Sequence, residues 1–270
     1  MLKSVIKKYF IRRHLNLFKT AFVNFRVFPL KTAIHFPVFV YGRVCFEGLH
    51  RGCIKLTSGH IPHSIHLGGG FYTLVYGRSD LYRSYFCFEG TLVCGKHVHF
   101  HNGSVVSISK KAVLTVEDNV RINRRSLIHC RESIFIGKNS RFGWDCQIMD
   151  TNFHFILHNN RIANITKPVF IGHNSWLTNG VSVLKGSFLP AYSIVASKSL
   201  VNKDFSEYGE KCLFGGIPAR LLSKDVCRIL NKEKELKDFF RRTKQDFVDF
   251  DLIRNQTPSG INDSDTQTNV

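Results

Sequence analysis

Every sixth residue from 171 to 201 is a branched aliphatic: Ile171, Leu177, Val183, Leu189, Val195 and Val201. Four positions after each of the first five stands a small or β-branched side chain, in order Ser175, Val181, Ser187, Ser193 and Ser199. A period of 2 would mark a strand with one wet face and a period of 3.6 an amphipathic helix, so a period of six fits neither. Two inward positions in every six describe a chain that turns a corner and stacks on itself. The spacing predicts a parallel β-helix of three short faces, with about 18 residues per coil.

The rhythm extends upstream through Val116, Ile122, Ile128 and Ile134, and after a two-residue slip through Ile136, Phe142 and Ile148. Its corners repeat as well. Glu117-Asp118-Asn119-Val120, Gly137-Lys138-Asn139-Ser140 and Gly172-His173-Asn174-Ser175 place Asn at one equivalent position. Asn is among the few non-glycine residues that accept a left-handed backbone cheaply. The register then breaks between Ile148 and Ile171, in a segment that begins Met149-Asp150-Thr151-Asn152-Phe153-His154-Phe155-Ile156. An insertion in a solenoid projects from one face, where solenoids place their binding sites.

The chain has 270 residues, of which 43% are hydrophobic and 13% aromatic, enough to bury a core and to exclude general disorder. Its eight cysteines include no C-x-x-C pair, and Cys146 falls on the inward position four after Phe142. They read as buried thiols of a reducing, cytoplasmic compartment. The net charge of +18 is concentrated at the front: Lys3, Lys7, Lys8, Arg12, Arg13, Lys19, Arg26, Lys31 and Arg43 all precede the first acid, Glu47. These bases alternate with apolar residues in runs too short for the roughly 18 to 20 residues of a bilayer span. The segment reads as a helix packed on the first coils with its bases in water, or as an interfacial helix at the inner face of a membrane. The bases are not interleaved with stacking aromatics on a recognisable platform, so no nucleic-acid partner is expected.

Four regions follow from these patterns: a basic amphipathic extension over 1–40, a parallel β-helix over 41–206 with an inserted loop over 149–170, a segment with a closing amphipathic helix over 207–254, and a disordered tail over 255–270. The helix assignment rests on Val226, Ile229, Leu230, Leu236, Phe239, Phe240 and Phe247 spaced among charges.

His154 is the principal candidate for chemistry. It stands on the one loop that leaves a regular solenoid, and an imidazole, with a reference pKa of about 6.5, suits removal of a proton from a hydroxyl near neutrality. Asp150, four residues earlier, is placed to fix its tautomer or to contact substrate. His97, His99 and His101 alternate along one strand, a poor arrangement for tetrahedral metal binding. His154 and His158 with His173 or His129 form another conceivable ligand set, since some trimeric β-helices are zinc-dependent carbonic anhydrases, although two of these histidines share a loop outside the coils. Trp176 points outward, as a scattered aromatic, a subunit contact or an apolar wall for a substrate. Lys198, Lys203, Arg220 and Lys224 form either a solvated basic face or a phosphate site.

Three motifs together resemble the hexapeptide-repeat acyltransferases, in particular the galactoside, maltose, xenobiotic and polysaccharide O-acetyltransferase branch. They are Met149-Asp150-Thr151-Asn152-Phe153-His154, the stretch from Ile171 through Trp176 to Val181, and Gly215-Gly216-Ile217-Pro218-Ala219-Arg220. The resemblance implies an all-β fold, a left-handed parallel β-helix, and a homotrimer with acetyl-CoA lying in a cleft between subunits. It implies His154 as the general base, with Asp150, Asn152 and Trp176 at the acceptor. Asn179, Gly180, Ser197, Asn202, Lys203 and Arg220 would lie along the coenzyme, and no metal is implied. The expected activity is acetyl transfer to a sugar hydroxyl of a surface polysaccharide or its precursor. N-acetyl transfer to an amino-sugar nucleotide and a non-catalytic scaffold are the alternatives. One departure stands out: where relatives often read Gly-Ala-Gly-Ser, this chain has Ala196-Ser197-Lys198-Ser199.

Overall fold

A computed structural model describes residues 15–57, 62, 64–69, 82–229, 236, 240 and 241. Its strands form three faces that the chain visits in rotation. A nine-stranded face runs from Val38–Val40 through Arg121–Ile122, Arg141–Phe142, Trp176–Leu177 and Ile194–Val195 to Leu213–Gly216 and Ala219–Ser223. A seven-stranded face contains Val44–Glu47, Leu127–Cys130, Gln147–Met149, Ser182–Val183 and Leu200–Val201, and a six-stranded face contains Ser133–Ile136, Val169–Ile171 and Phe188–Leu189. Pairing between coils is parallel, except where Ala219–Ser223 folds back antiparallel on Leu213–Gly216. The fold is a parallel β-helix of three faces.

Register shows why the six-residue ladder appears in the sequence. Phe142 pairs with Leu177 and Leu177 with Val195 on the first face, Ile148 with Val183 and Val183 with Val201 on the second, and Ile136 with Ile171 and Ile171 with Leu189 on the third. Each of these side chains is inside, and the small residues Ser175, Val181, Ser187, Ser193 and Ser199 fill the corners, all but fully buried. Ser175 and Ser193 offset the burial of their hydroxyls by donating to the Gly172 and Pro190 carbonyls at 2.8 and 2.6 Å. Coils before the insertion are longer than expected. Ile122 pairs with Phe142 twenty positions on and with Phe100 twenty-two positions back, against eighteen for Leu177 and Val195. The two-residue slip arises because Ser133–Ile136 is a four-residue strand that points both Ile134 and Ile136 inward.

The repeated Asn corner lies between the six- and nine-stranded faces. Asn119, Asn139 and Asn174 have φ of 56°, 61° and 59°, the left-handed conformation expected of them. Their side chains also bond to one another down the axis. Asn119 Nδ2 donates to Asn139 Oδ1 at 2.9 Å, and Asn139 Nδ2 to Asn174 Oδ1 at 3.0 Å.

At the start of the solenoid, helix α1 (Leu17–Val27), capped by the Asn16 side chain on the Lys19 N–H, lies across the first coil and is followed by a short α2 (Leu30–Ala33). Its buried side includes Thr20 and Asn24, which serve the open edge of the nine-stranded face. Asn24 donates to the Val38 carbonyl and accepts from the Val38 N–H, while Thr20 Oγ1 accepts from the Val40 N–H. Of the bases here Arg26 and Lys31 are exposed and Lys19 is half-buried; Lys19 Nζ donates to the Val44 carbonyl and Arg26 Nε to the Leu49 carbonyl at 3.0 Å. Backbone carbonyls at the exposed end of the first coils bond these two cations, and the helix turns Phe18, Phe22 and Phe25 outward beside them.

Cys53, Cys94, Cys130, Cys146 and Cys212 are buried free thiols, Cys45 and Cys87 are half-buried, and Cys227 is exposed. Burial lifts the Cys146 thiol to about 11, above its ordinary value, so it is held as an unreactive core group. The described residues divide into two compact units, with the boundary between Cys227 and Arg228. Within the segment read as a closing helix, Leu236, Phe240 and Arg241 are helical. The remainder of that segment beyond Ile229, the 255–270 tail and the first fourteen residues lie outside the described residues.

Candidate active site

The insertion leaves the solenoid at the corner between the seven- and six-stranded faces, and a two-stranded antiparallel ribbon forms its body. Ile156–His158 pairs with Arg161–Ala163 across Asn159 and Asn160, both at positive φ as a tight hairpin turn demands. Its base is closed by the Asn152 N–H on the Ile165 carbonyl at 2.9 Å and the Lys167 N–H on the Asp150 carbonyl at 3.0 Å.

His154 is exposed beside this base. The turn that presents it is held by Phe153, which adopts a left-handed backbone (φ 61°) and donates its N–H to Thr151 Oγ1 at 2.9 Å. The Phe153 ring meets His129 edge-on at a centroid distance of 5.2 Å, and the Arg131 guanidinium lies 5.2 Å from its centre. A bulky residue at positive φ costs about 1 to 2 kcal/mol. The contacts with His129 and Arg131 offset that strain and fix the direction of the next side chain, His154. Burial and then the neighbouring Arg131 hold the His129 imidazole below its usual range, opposed by Asp150. His129 figures in the sequence reading as a conceivable metal ligand, whereas here it supports the loop. Its partnership with Phe153 depends on a contact between coils that no local pattern reveals.

Asp150 is fully buried. Its carboxylate accepts from the Arg131 N–H at 2.7 Å and from the Glu132 N–H at 2.8 Å, tying the start of the insertion to the preceding coil. Asn152 is half-buried at the closed base of the loop.

A second group of candidate residues gathers on the nine-stranded face and its corner with the seven-stranded face. Trp176 is outward and 38% exposed, between Arg141 and Ile194 in the register. Below it, Ser197 Oγ donates to Thr178 Oγ1 at 3.0 Å, and Thr178 Oγ1 donates to the Val195 carbonyl at 2.7 Å. Asn179 Oδ1 accepts from the Trp144 N–H at 3.2 Å, and its carbonyl accepts from the Lys198 N–H at 2.9 Å. Gly180 has φ 68°, and a Cβ there would lie 2.8 Å from Cδ of Lys198, so the lysine stem runs across the glycine. Lys198 itself has φ 63° at the corner position that Gly180 fills one coil earlier. Arg220 is exposed, opposite Gly215 in the terminal antiparallel pair.

Asn202 and Lys203 belong instead with the insertion, at the corner between the seven- and six-stranded faces. The Lys203 ammonium lies 5.1 Å over Phe205 and 5.7 Å from the Tyr208 ring centre. Within one chain, therefore, the loop that carries His154 and the strand that carries Trp176 are on different faces. The ladder brings them near in sequence, but a three-faced coil sends them apart. Other features were not foreseen: Phe135, Phe170 and Phe188 stack outward on the six-stranded face at centroid distances of 4.9 and 4.4 Å. His99 lies tilted against His66 at a centroid distance of 4.1 Å and stacks on His101 at 6.1 Å.

No family model matches the chain. It is similar in sequence to sugar-modifying acetyltransferases. Galactoside O-acetyltransferase of Lactococcus lactis is 31% identical over 125 residues, covering 44% of this chain and 52% of the relative. WbbJ of Escherichia coli K12, named for O-acetyl transfer in lipopolysaccharide biosynthesis, is 24% identical over 146 residues, covering 50% of this chain and 73% of the relative. A hexapeptide-repeat acetyltransferase of Vibrio cholerae, solved with acetyl coenzyme A, is 28% identical, with a TM-score of 0.37 over 41% of this chain and 60% of that one. The chain thus spans between about half and three quarters of the length of these three relatives. It resembles the hexapeptide-repeat O-acetyltransferases in sequence.

Proposed function

From that resemblance we propose that this chain transfers an acetyl group from acetyl-CoA to a sugar hydroxyl of a surface polysaccharide or its precursor, with His154 as general base. The observation that carries the reading is the insertion itself, whose pinned base and Phe153 contacts present an exposed imidazole from an otherwise regular coil. In this reaction His154 takes the proton of the acceptor hydroxyl as its oxygen attacks the thioester carbonyl. The backbone N–H of Asn179 stabilises the developing oxyanion, its neighbours Thr178 and Gly180 donating instead to the Val195 and Trp144 carbonyls, and the coenzyme leaves as a thiolate that takes up the proton. Most of the rate enhancement comes from holding two substrates in register, which rigid coils do at little entropic cost.

The separation of His154 from Trp176 supports a site completed by a second copy. A homotrimer would set the insertion, Asn202 and Lys203 of one subunit against Trp176, Asn179, Gly180, Ser197 and Arg220 of the next. The deciding experiment measures thiol release from acetyl-CoA with a panel of sugars and amino sugars, alongside light scattering for subunit number. His154→Ala is expected to lower kcat by about 10²- to 10⁴-fold with the oligomer intact. Full activity in that variant would remove His154 from the mechanism, and transfer to amines alone would replace the hydroxyl acceptor.

A further inference from the structure

Helix α1 is amphipathic in the wrong sense for a helix that only covers a core. Its inner side contributes Thr20, Val23, Asn24 and Val27, half of them polar. Its outer side carries Leu17, Phe18, Phe22 and Phe25, exposed by 57%, 81%, 48% and 45%, and Leu30 and Ile34 of the next turns extend the patch at 67% and 54%. At about 100° per residue the three phenylalanines fall within roughly 60° of one another, so they form one stripe. The reason for the inversion is visible in the contacts. Thr20 and Asn24 are needed underneath to bond the open edge of the first coil at Val38 and Val40. Phe25 meets Phe36 edge-on at a centroid distance of 5.9 Å, but Phe18 and Phe22 are left on the surface, and an exposed apolar patch marks an interaction surface.

Charge identifies the partner. Nine bases and no acid precede Glu47, five of the bases within the fourteen residues leading into the helix, and Arg26, Lys31, Arg43 and Arg51 are exposed in the described part. Aromatic and aliphatic side chains on one face, framed by Lys and Arg without counter-charge, match the apolar boundary and phosphate layer of an anionic bilayer. No described helix is long and apolar enough to cross a membrane. We infer that the N-terminal end of the solenoid docks on an anionic phospholipid surface, inserting Phe18, Phe22 and Phe25 at the headgroup boundary. The inference is independent of the acetyl-transfer reading, since it uses none of the same residues.

The test is co-sedimentation of the full-length protein with vesicles of phosphatidylglycerol and phosphatidylcholine, and with phosphatidylcholine alone. The wild type is expected to pellet with the anionic vesicles and to stay in solution with the neutral ones. The triple variant Phe18→Ser, Phe22→Ser, Phe25→Ser should lose vesicle affinity by on the order of tenfold or more. Phe18→Glu alone, at the most exposed site, provides a second variant that leaves the Phe25–Phe36 contact in place and should keep the wild-type melting curve while losing vesicle affinity. Equal binding by wild type and variants would overturn the inference, as would equal pelleting with neutral vesicles. A wild type that ignores vesicles, with a variant that changes oligomeric state, would assign the stripe to protein contacts and overturn it as well.

Discussion

Asp150 is the residue on which site and scaffold interpretations differ most sharply, and Asp150→Asn separates them. The carboxylate is fully buried and accepts two backbone N–H groups at 2.7 and 2.8 Å. Hydrogen bonds to a charged acceptor contribute about 1.5 to 3 kcal/mol each, and a donor left unpaired costs about 1 to 3 kcal/mol. An amide keeps one accepting oxygen but turns an NH2 group toward the other N–H, so one bond is lost and two donors face each other. The expected loss is about 2 to 3 kcal/mol for Asp150→Asn and about 3 to 5 kcal/mol for Asp150→Ala, read from urea denaturation midpoints with the slope unchanged. Freed from its anchor, the 153–164 segment should also be cut faster by protease under native conditions. Transfer activity should fall through kcat while the KM for the acceptor stays near wild type. A variant with wild-type stability and a raised acceptor KM would refute the anchoring argument and return the carboxylate to the substrate.

The Asn ladder offers a backbone experiment: Asn139→Gly should lose the two side-chain bonds of the ladder, about 1 to 3 kcal/mol in denaturation, whereas Asn139→Ala adds about 1 to 2 kcal/mol for its φ of 61°. His129 supplies a pH dependence. Its folded pKa is depressed, so below about pH 6.5 the unfolded chain binds the extra proton and stability falls as the solution is acidified toward the folded value. His129→Phe, which keeps an aromatic against Phe153, should flatten that part of a stability profile taken from pH 7.5 to 5. Gly180→Ala should destabilise by about 1 to 2 kcal/mol through its positive φ and displace the Lys198 stem, which calorimetry with coenzyme A would read as weakened binding.

The coil architecture was legible because it is written in local spacing. One inward aliphatic and one small corner residue per six positions recur regardless of what lies above or below, and an Asn at the left-handed corner is a property of that residue alone. The same locality exposed the insertion and His154 as the place where the pattern fails. Three things needed the tertiary structure, each for the same reason: they are relations between residues far apart in sequence. Asp150 is an anchor because Arg131 and Glu132 lie one coil away, and His129 supports the loop because Phe153 folds back on it. Trp176 is parted from His154 because three faces, not two, close the coil. In α1 the sequence carried both an apolar stripe and a polar one, but only the backbone edge of the first coil, whose groups at Val38 and Val40 bond Asn24 and Thr20, determined that the polar stripe turns inward and the phenylalanines outward.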